Sequence, residues 1–131
     1  MTRQFTLKKH EKLKSQKQLD KLFAAAESKF KFPFKLLFIK EIPIADDWPL
    51  QFGISVPKKK VKSAVKRNLI KRRTREAYRL NKTTLQQQLL GKGNFKLSLM
   101  FIFIGNEPVE YQIIENSIKY LLSQLLKEVT I

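Results

Sequence analysis

The residues best suited to chemistry in this sequence are cations gathered in one stretch, Pro57 to Lys82. This stretch holds twelve of the 27 lysines and arginines of the chain and a single acid, Glu76. Because most of these charges have no local partner of opposite sign, they repel one another in the free protein. The simplest explanation for such a concentration is a polyanionic ligand that neutralises the charge on binding.

The same stretch has the pattern of a helix. Ser63 is the predicted N-cap, and no glycine or proline interrupts residues 64–80. At about 100° per residue, the predicted buried side carries four apolar residues, Val65, Leu69, Ile70 and Ala77. The predicted exposed side carries six polar residues, Arg67, Asn68, Lys71, Arg72, Arg75 and Arg79. Arginine donates two parallel hydrogen bonds to a phosphate, and a carboxamide can donate to and accept from a base edge, a ribose hydroxyl or a metal-bound water. A merely solvated helix face is the alternative, but the scarcity of acids and the directional arrangement favour nucleic acid.

Residues 67–75, RNLIKRRTR, match the pattern RNxxKRxxR and so resemble the signature of the bacterial ribonuclease P protein subunit. The resemblance covers roughly residues 10 to 127. It implies an accessory subunit of a ribonucleoprotein endoribonuclease, whose RNA subunit carries the catalysis and holds most of the Mg²⁺. The protein subunit would bind that ribonuclease P RNA and the 5′ leader of precursor tRNA, and so assist removal of the leader. The residues predicted to bind RNA are Lys59, Lys60, Arg67, Asn68, Lys71, Arg72, Arg75 and Arg79.

The resemblance also implies a cleft for the leader beside the first helix. The two aromatic positions of the family on that helix correspond to Leu19, which departs from the usual Phe, and Phe23. Strand parity adds Lys35 and Leu37 to the predicted cleft. A platform of one aromatic, one aliphatic and one cationic side chain suits a single strand without reading its sequence. That Phe23 is an ordinary core residue is as well supported as its role as a platform for bases.

Hydrophobic periodicity predicts the order helix, strand, strand, helix, strand, helix. The predicted elements cover approximately residues 15–27, 30–42, 50–57, 64–80, 95–104 and 109–127, and residues 82–94 hold a short helical piece and a turn. The predicted core side of the first strand carries Phe30, Phe32, Phe34, Leu36 and Phe38, and that of the last helix carries Ile113, Ile114, Ser117, Leu121 and Leu125. This order predicts an α+β two-layer sandwich with a mixed sheet. The family resemblance implies that its strand-helix-strand crossover is left-handed.

Composition limits the remaining possibilities. A chain of 131 residues suits a single domain, 1–131, in which the basic residues 1–12 are predicted to be a flexible tail. The net charge of +16 favours a nucleic-acid partner over a membrane. The only histidine is His10 and there is no cysteine, so we predict no protein active site, no metal site and no disulfide. The N-terminus lacks the apolar run of a secretory signal, and we expect a cytoplasmic protein without an obligate protein partner.

Two other functions fit the same composition. The first is a ribosomal or other basic structural RNA-binding protein without linked cleavage, since one fold hosts many functions. The second is a helix lying on an anionic membrane surface, which would need bulky apolar residues facing lipid. Reconstitution with ribonuclease P RNA would separate the first alternative from the ribonuclease P function, and flotation with liposomes would test the second.

Overall fold

The computed structural model describes residues 20, 24, 26–41, 50–92 and 96–130. It contains strands β1 (Glu27–Lys31), β2 (Phe34–Glu41), β3 (Leu50–Ser55) and β4 (Lys96–Phe103), and helices α1 (Ala64–Asn81), α2 (Thr83–Lys92) and α3 (Tyr111–Thr130). The predicted α+β class with a mixed sheet is confirmed. Of the predicted first helix, residues 15–27, the structure describes Asp20 and Ala24, which are helical, and Ala26 and Glu27, which are not. The predicted end of this helix is therefore wrong, because Glu27 already begins β1. The predicted tail 1–12 lies outside the described residues.

The four strands form one sheet in the order β1-β2-β4-β3. Strands β1 and β2, and likewise β2 and β4, are antiparallel, whereas β3 and β4 run parallel. Every residue of β4 except Ile102 is buried, as its mostly apolar sequence predicts for a central strand. The parallel pair requires a crossover, and α1 and α2 supply it between β3 and β4.

The predicted strand over residues 30–42 is wrong in its extent, because the chain folds back at Phe32 and Pro33 into the β1–β2 hairpin. Proline lacks the N–H that a continuous ladder would require, which favours a turn at this point. Side-chain parity therefore changes across the turn, and Phe30 lies opposite Lys35 instead of beside Phe34. Phe30 and Phe32 are 62% and 53% exposed, so their assignment to the core is wrong.

The rest of that core assignment is confirmed, since Phe34, Leu36 and Phe38 are all buried. The ring of Phe34 packs edge-on against Phe101 and Phe103 of β4, with ring centroids 5.8 Å apart in both pairs. These contacts fill the side of the sheet on which the helices lie. The other side, which carries Lys35 and Leu37, is called the open face of the sheet below, although Ser98 and Met100 of β4 are buried on it.

Helix α1 begins as predicted, because the Ser63 side chain accepts a hydrogen bond from the backbone N–H of Lys66 at 3.3 Å. Its buried residues are Ile70, Thr74, Ala77 and Tyr78. The ring of Tyr78 stacks on Phe52 of β3, with centroids 3.9 Å apart and planes within 4° of parallel. This stacking fixes the position of α1 over β3.

The predicted buried side of α1 is partly wrong. Val65 is 79% exposed, and Leu69 is only half-buried. The contact with the core is completed instead by Thr74, whose hydroxyl donates to the Ile70 carbonyl oxygen at 2.7 Å, and by Tyr78. That internal hydrogen bond lets a polar residue take a core position. Val65 lies about 140° around the helix from Ile70 and so faces away from the core.

Helix α3 packs beside α1 and reaches β1. The Ser117 hydroxyl donates to the Lys31 carbonyl oxygen at 2.7 Å, and Lys29 forms an ion pair with Glu128 at 3.1 Å. The predicted buried residues Ile114, Ser117, Leu121 and Leu125 are confirmed, whereas Ile113 is 41% exposed and its assignment to the core is wrong. Within the described part of the chain, no helix has the length and apolar character needed to cross a membrane.

Candidate nucleic-acid interface

The side of α1 that points away from the core is cationic and contains an apolar patch. Counting about 100° per residue from Ile70, its members lie roughly 140° to 220° around the helix from the buried centre. This solvent face of α1 consists of Val65, Asn68, Arg72, Arg75 and Arg79. The structure shows no ion-pair partner for Arg72 or Arg75 among the described residues. Their guanidinium groups are therefore available to a ligand.

Arg67 and Lys71 lie at the border between the buried side and the solvent face, where both are half-buried. One guanidinium nitrogen of Arg67, Nη1, donates to the carbonyl oxygens of Val61 at 3.0 Å and Lys62 at 2.8 Å. The predicted exposed side is therefore confirmed for Arg75, whereas Arg67 and Lys71 are only partly exposed. These three residues wind around the helix, because an i, i+4 spacing advances by about 40° at each step.

Two further cations of α1 face the segment that precedes α3. The Arg73 Nη1 atom donates to the Val109 carbonyl oxygen at 2.6 Å, and Lys66 forms an ion pair with Glu107 at 2.9 Å. These contacts join residues that are far apart in sequence, and the sequence pattern gave no signal of them. Arg73 stabilises the packing of α1 against the end of β4 and the start of α3, and it is less available to a ligand than Arg72.

Arg79 has a partner on its own helix, Glu76, one turn earlier. The hydrogen bond from Arg79 holds the pKa of the Glu76 carboxyl below its usual value, so the carboxylate is ionised at neutral pH. An exposed pair of this kind contributes little to stability. It does place the only acid of the basic stretch beside one of the predicted RNA-binding residues.

The turn before α1 extends the cationic surface. The Pro57 carbonyl oxygen accepts hydrogen bonds at 3.1 Å from the N–H groups of Lys60 and Val61, which leaves the Lys59 and Lys60 side chains exposed. A depression of about 380 Å³ follows, lined by Lys60, Val61, Lys62, Ser63, Lys66, Asn106 and Glu107. The N-terminus of α1 adds a partial positive charge here, and no acid occupies its first turn.

The open face of the sheet carries the second set of predicted residues. Lys35 is exposed and Leu37 is half-buried, and both point away from α1 and α3, so the predicted parity of β2 is confirmed. The pairing register places Lys35 between Phe30 of β1 and Ile102 of β4. Sequence reasoning missed Phe30 at this surface because it did not predict the β1–β2 hairpin. Leu19 and Phe23, the other two predicted cleft residues, lie outside the described residues.

Within the described ranges, no three His, Asp or Glu side chains come close enough together to hold a metal ion. The solvent face of α1 and the turn before it offer guanidinium and ammonium donors, one carboxamide from Asn68 and a small apolar patch.

The fold and these surfaces define a class: an α+β domain in which a long helix buries one side in the core and turns a cationic side to solvent. The family model described as Ribonuclease P matches residues 7–128. The chain therefore belongs to the ribonuclease P protein family.

A curated relative agrees with this membership, and two solved structures share the fold. The ribonuclease P protein component of Porphyromonas gingivalis strain W83 is 28% identical over 123 residues, which cover 92% of this chain and 87% of the relative. The structure of the Staphylococcus aureus RNase P protein matches with a TM-score of 0.67 at 21% identity, covering 88% of this chain and 94% of that one. The Thermotoga maritima RNase P protein matches with a TM-score of 0.64 at 24% identity, covering 87% and 96%.

Proposed function

We propose that this chain, as the protein component of ribonuclease P, binds ribonuclease P RNA through the solvent face of α1 and the turn before it. The observation that carries this proposal is the position of Arg72, Arg75 and Asn68, which lie together and uncovered on a helix with the RNxxKRxxR pattern. Arginine pairs at this spacing suit the phosphates of a folded RNA. The lysines of the preceding turn add mobile point charges to the same surface.

The 5′ leader of precursor tRNA is the second proposed ligand, and it lies across the open face of the sheet. Lys35 supplies a cation for a phosphate, and Leu37 with Phe30 supplies apolar surface for bases. Leu19 and Phe23 would complete this cleft from the predicted first helix. Such a surface holds a single strand without selecting its sequence, as a subunit that serves many tRNA precursors requires.

In this proposal the reaction itself, hydrolysis of one phosphodiester bond, is carried out by the RNA subunit, which also holds most of the Mg²⁺. The protein acts by electrostatics. The ribonuclease P RNA and the precursor are both polyanions and repel one another, and a cationic protein between them screens that repulsion. Less free Mg²⁺ is then required for the two RNAs to associate.

Reconstitution tests this function. Cleavage of a precursor tRNA by ribonuclease P RNA at low Mg²⁺ should increase when the protein is added. The double variant Arg72→Ala, Arg75→Ala should give much less stimulation, while a control variant at an exposed residue of α3, Gln112→Ala, should behave as the unaltered protein. Tight binding of the protein to the RNA without any stimulation would contradict the proposal and identify a structural RNA-binding protein.

A further inference from the structure

A shallow groove runs across the solvent face of α1, and its floor is apolar. The groove has a volume of about 420 Å³ and is lined by Val65, Asn68, Leu69, Arg72 and Arg75. Val65 is the most exposed of the large apolar residues in the described part of the chain, at 79%. A single exposed valine is ordinary. Here, however, it adjoins the half-buried Leu69 and is surrounded by two arginines and a carboxamide, with no acid in the lining.

From this arrangement we propose that the groove binds one unpaired nucleotide of the RNA partner, with its base against Val65 and Leu69. Asn68 then lies beside the base edge, where its amide can both donate and accept. Arg72 and Arg75 follow Asn68 by about 6 Å and 10 Å in the same direction along the helix axis, where they can donate to two successive phosphates next to that base. The inference rests on the proposed function and adds the feature of the RNA that this face recognises.

A continuous RNA duplex does not satisfy the apolar floor. A-form RNA stacks its bases inside and presents phosphates, riboses and a groove too narrow for side chains to read. Val65 and Leu69 would then face water or charged phosphates. An unpaired base, in contrast, offers a flat apolar face together with a polar edge, and aliphatic side chains are known to contact unstacked bases in this way.

A protein or a membrane fits the groove less well. A specific protein interface needs about 800 Å² from each partner, usually with an apolar centre, whereas this floor consists of two aliphatic side chains. A membrane-surface helix needs a broad apolar side, but here polar and charged groups flank the floor. Charge complementarity therefore favours a nucleotide.

Val65→Ala tests the inference in the full chain. Val65 is exposed and alanine is the better helix former, so the variant should fold normally. Two hairpin RNAs of equal length serve as probes, one fully paired and one with a single bulged nucleotide. We expect the unaltered protein to prefer the bulged hairpin by about tenfold, the scale of one base contact. Removing two methyl groups should lower affinity for the bulged hairpin by about 3- to 10-fold, with the paired hairpin and the salt dependence unchanged.

Two further variants sharpen the test. Val65→Thr keeps the branched shape but replaces a methyl with a hydroxyl, and it should lose most of the preference for the bulged hairpin if the contact is apolar. Ile113→Ala truncates another exposed aliphatic residue, on α3, and it should leave the preference intact. A photo-crosslinking amino acid placed at position 65 of the reconstituted holoenzyme should react with an unpaired nucleotide of the ribonuclease P RNA.

The inference would be overturned if Val65→Ala bound both hairpins as the unaltered protein does, or lost equal affinity for both. A crosslink confined to base-paired segments would also overturn it. So would binding to vesicles of phosphatidylglycerol and phosphatidylcholine that depended on Val65 while RNA binding did not. The proposed function is judged separately, by whether the unaltered protein stimulates precursor cleavage. If it does, the proposed function stands even when the inference about the groove fails. If it does not, the result counts against the proposed function and not against the binding of an unpaired nucleotide.

Discussion

At the scale of single residues, the arginines of α1 differ in role although they are alike in type. Arg67 donates to two carbonyl oxygens of the preceding loop, and Arg73 donates to the carbonyl oxygen of Val109. Arg72 and Arg75 face solvent. A buried or half-buried carbonyl needs a donor, so the first two arginines contribute to the fold, and the second two retain their donors for a ligand.

Arg67→Ala and Arg72→Ala should therefore have different effects. We expect Arg67→Ala to lower the free energy of unfolding by about 1–2 kcal/mol, because two carbonyl oxygens lose a charged donor. Arg72→Ala should change that free energy by less than about 0.5 kcal/mol, but should reduce the slope of log affinity against log salt by up to about one. Denaturant unfolding and salt titrations of RNA binding measure the two quantities. Equal loss of stability in both variants would refute this division of roles.

Asn68→Ala separates positioning from charge. The residue is exposed on the solvent face and carries no charge, so the salt slope should remain nearly unchanged. If the amide positions a base, a ribose or a metal-bound water, precursor cleavage at low Mg²⁺ should fall, and added Mg²⁺ should partly restore it. The check is a cleavage series over Mg²⁺ concentration. Normal rates at every concentration would show that Asn68 has no part in the interface.

At the scale of elements, α1 and β4 were predictable because the local sequence pattern of each agrees with its place in the packed structure. Ser63 caps a run without helix breakers, and the apolar run of β4 occupies the centre of the sheet. The buried side of α1 was less predictable, because its apolar residues are few and Thr74 and Tyr78 complete the contact. The β1–β2 hairpin was missed because alternation continues through Pro33, and only pairing between strands reveals the turn.

The pair formed by Glu76 and Arg79 leads to a prediction for the helix as a whole. Glu76→Gln should release Arg79 towards RNA, so affinity should rise and the salt slope should steepen by up to about one. Arg79 lowers the pKa of the Glu76 carboxyl below its ordinary value of 4.5. In the unaltered protein this carboxyl therefore stays ionised to a lower pH than an ordinary glutamate does. As the pH falls through that lowered pKa the carboxyl becomes neutral, and the two proteins should converge.

Binding measured at neutral and at acidic pH checks this prediction, with Glu110→Gln, an exposed acid outside the basic helix, as the matched control. Affinity that is the same for Glu76→Gln and the unaltered protein at neutral pH would mean that Arg79 does not contact the RNA.

The seating of α1 on the sheet should depend on the stacked pair of Phe52 and Tyr78. Phe52 is buried, so Phe52→Ala should lower the free energy of unfolding by about 3–5 kcal/mol through lost burial and a cavity. Phe30→Ala removes the same ring from an exposed position and should cost less than about 0.5 kcal/mol. Thermal or denaturant unfolding compares them. Similar losses would contradict the orientation of β1 described above.

At the scale of the whole molecule, the two candidate surfaces lie on opposite sides. The helices cover one side of the sheet, and the solvent face of α1 points away from it. The open face of the sheet, with Lys35, lies on the other side. One molecule can therefore contact two nucleic acids at once without competition between them, as the proposed function requires.

This separation predicts independent effects. Arg72→Ala should weaken binding to ribonuclease P RNA, whereas Lys35→Ala should weaken the holoenzyme's affinity for precursor tRNA more than for mature tRNA, which lacks the leader. In the double variant the free-energy losses for precursor binding should add to within about 0.5 kcal/mol, because the sites are distant. Equilibrium binding of both tRNAs to the four holoenzymes gives the result. Strong non-additivity, or an equal effect of Lys35→Ala on both tRNAs, would contradict separate surfaces.

The position of β4 also has a consequence for how the molecule is made. In the sheet β4 lies between β2 and β3, yet it follows both of them, and α1 and α2 as well, in the chain. A ribosome therefore releases the entire cationic helix before it releases the strand whose Phe101 packs against Tyr78 and Phe52. Until β4 inserts, the nascent protein exposes its positive charge next to the abundant RNA of the ribosome while its own core is unfinished. Pairing strands across that long crossover is slow, so α1 takes its final position only after β4, which ends at Phe103, has left the ribosome.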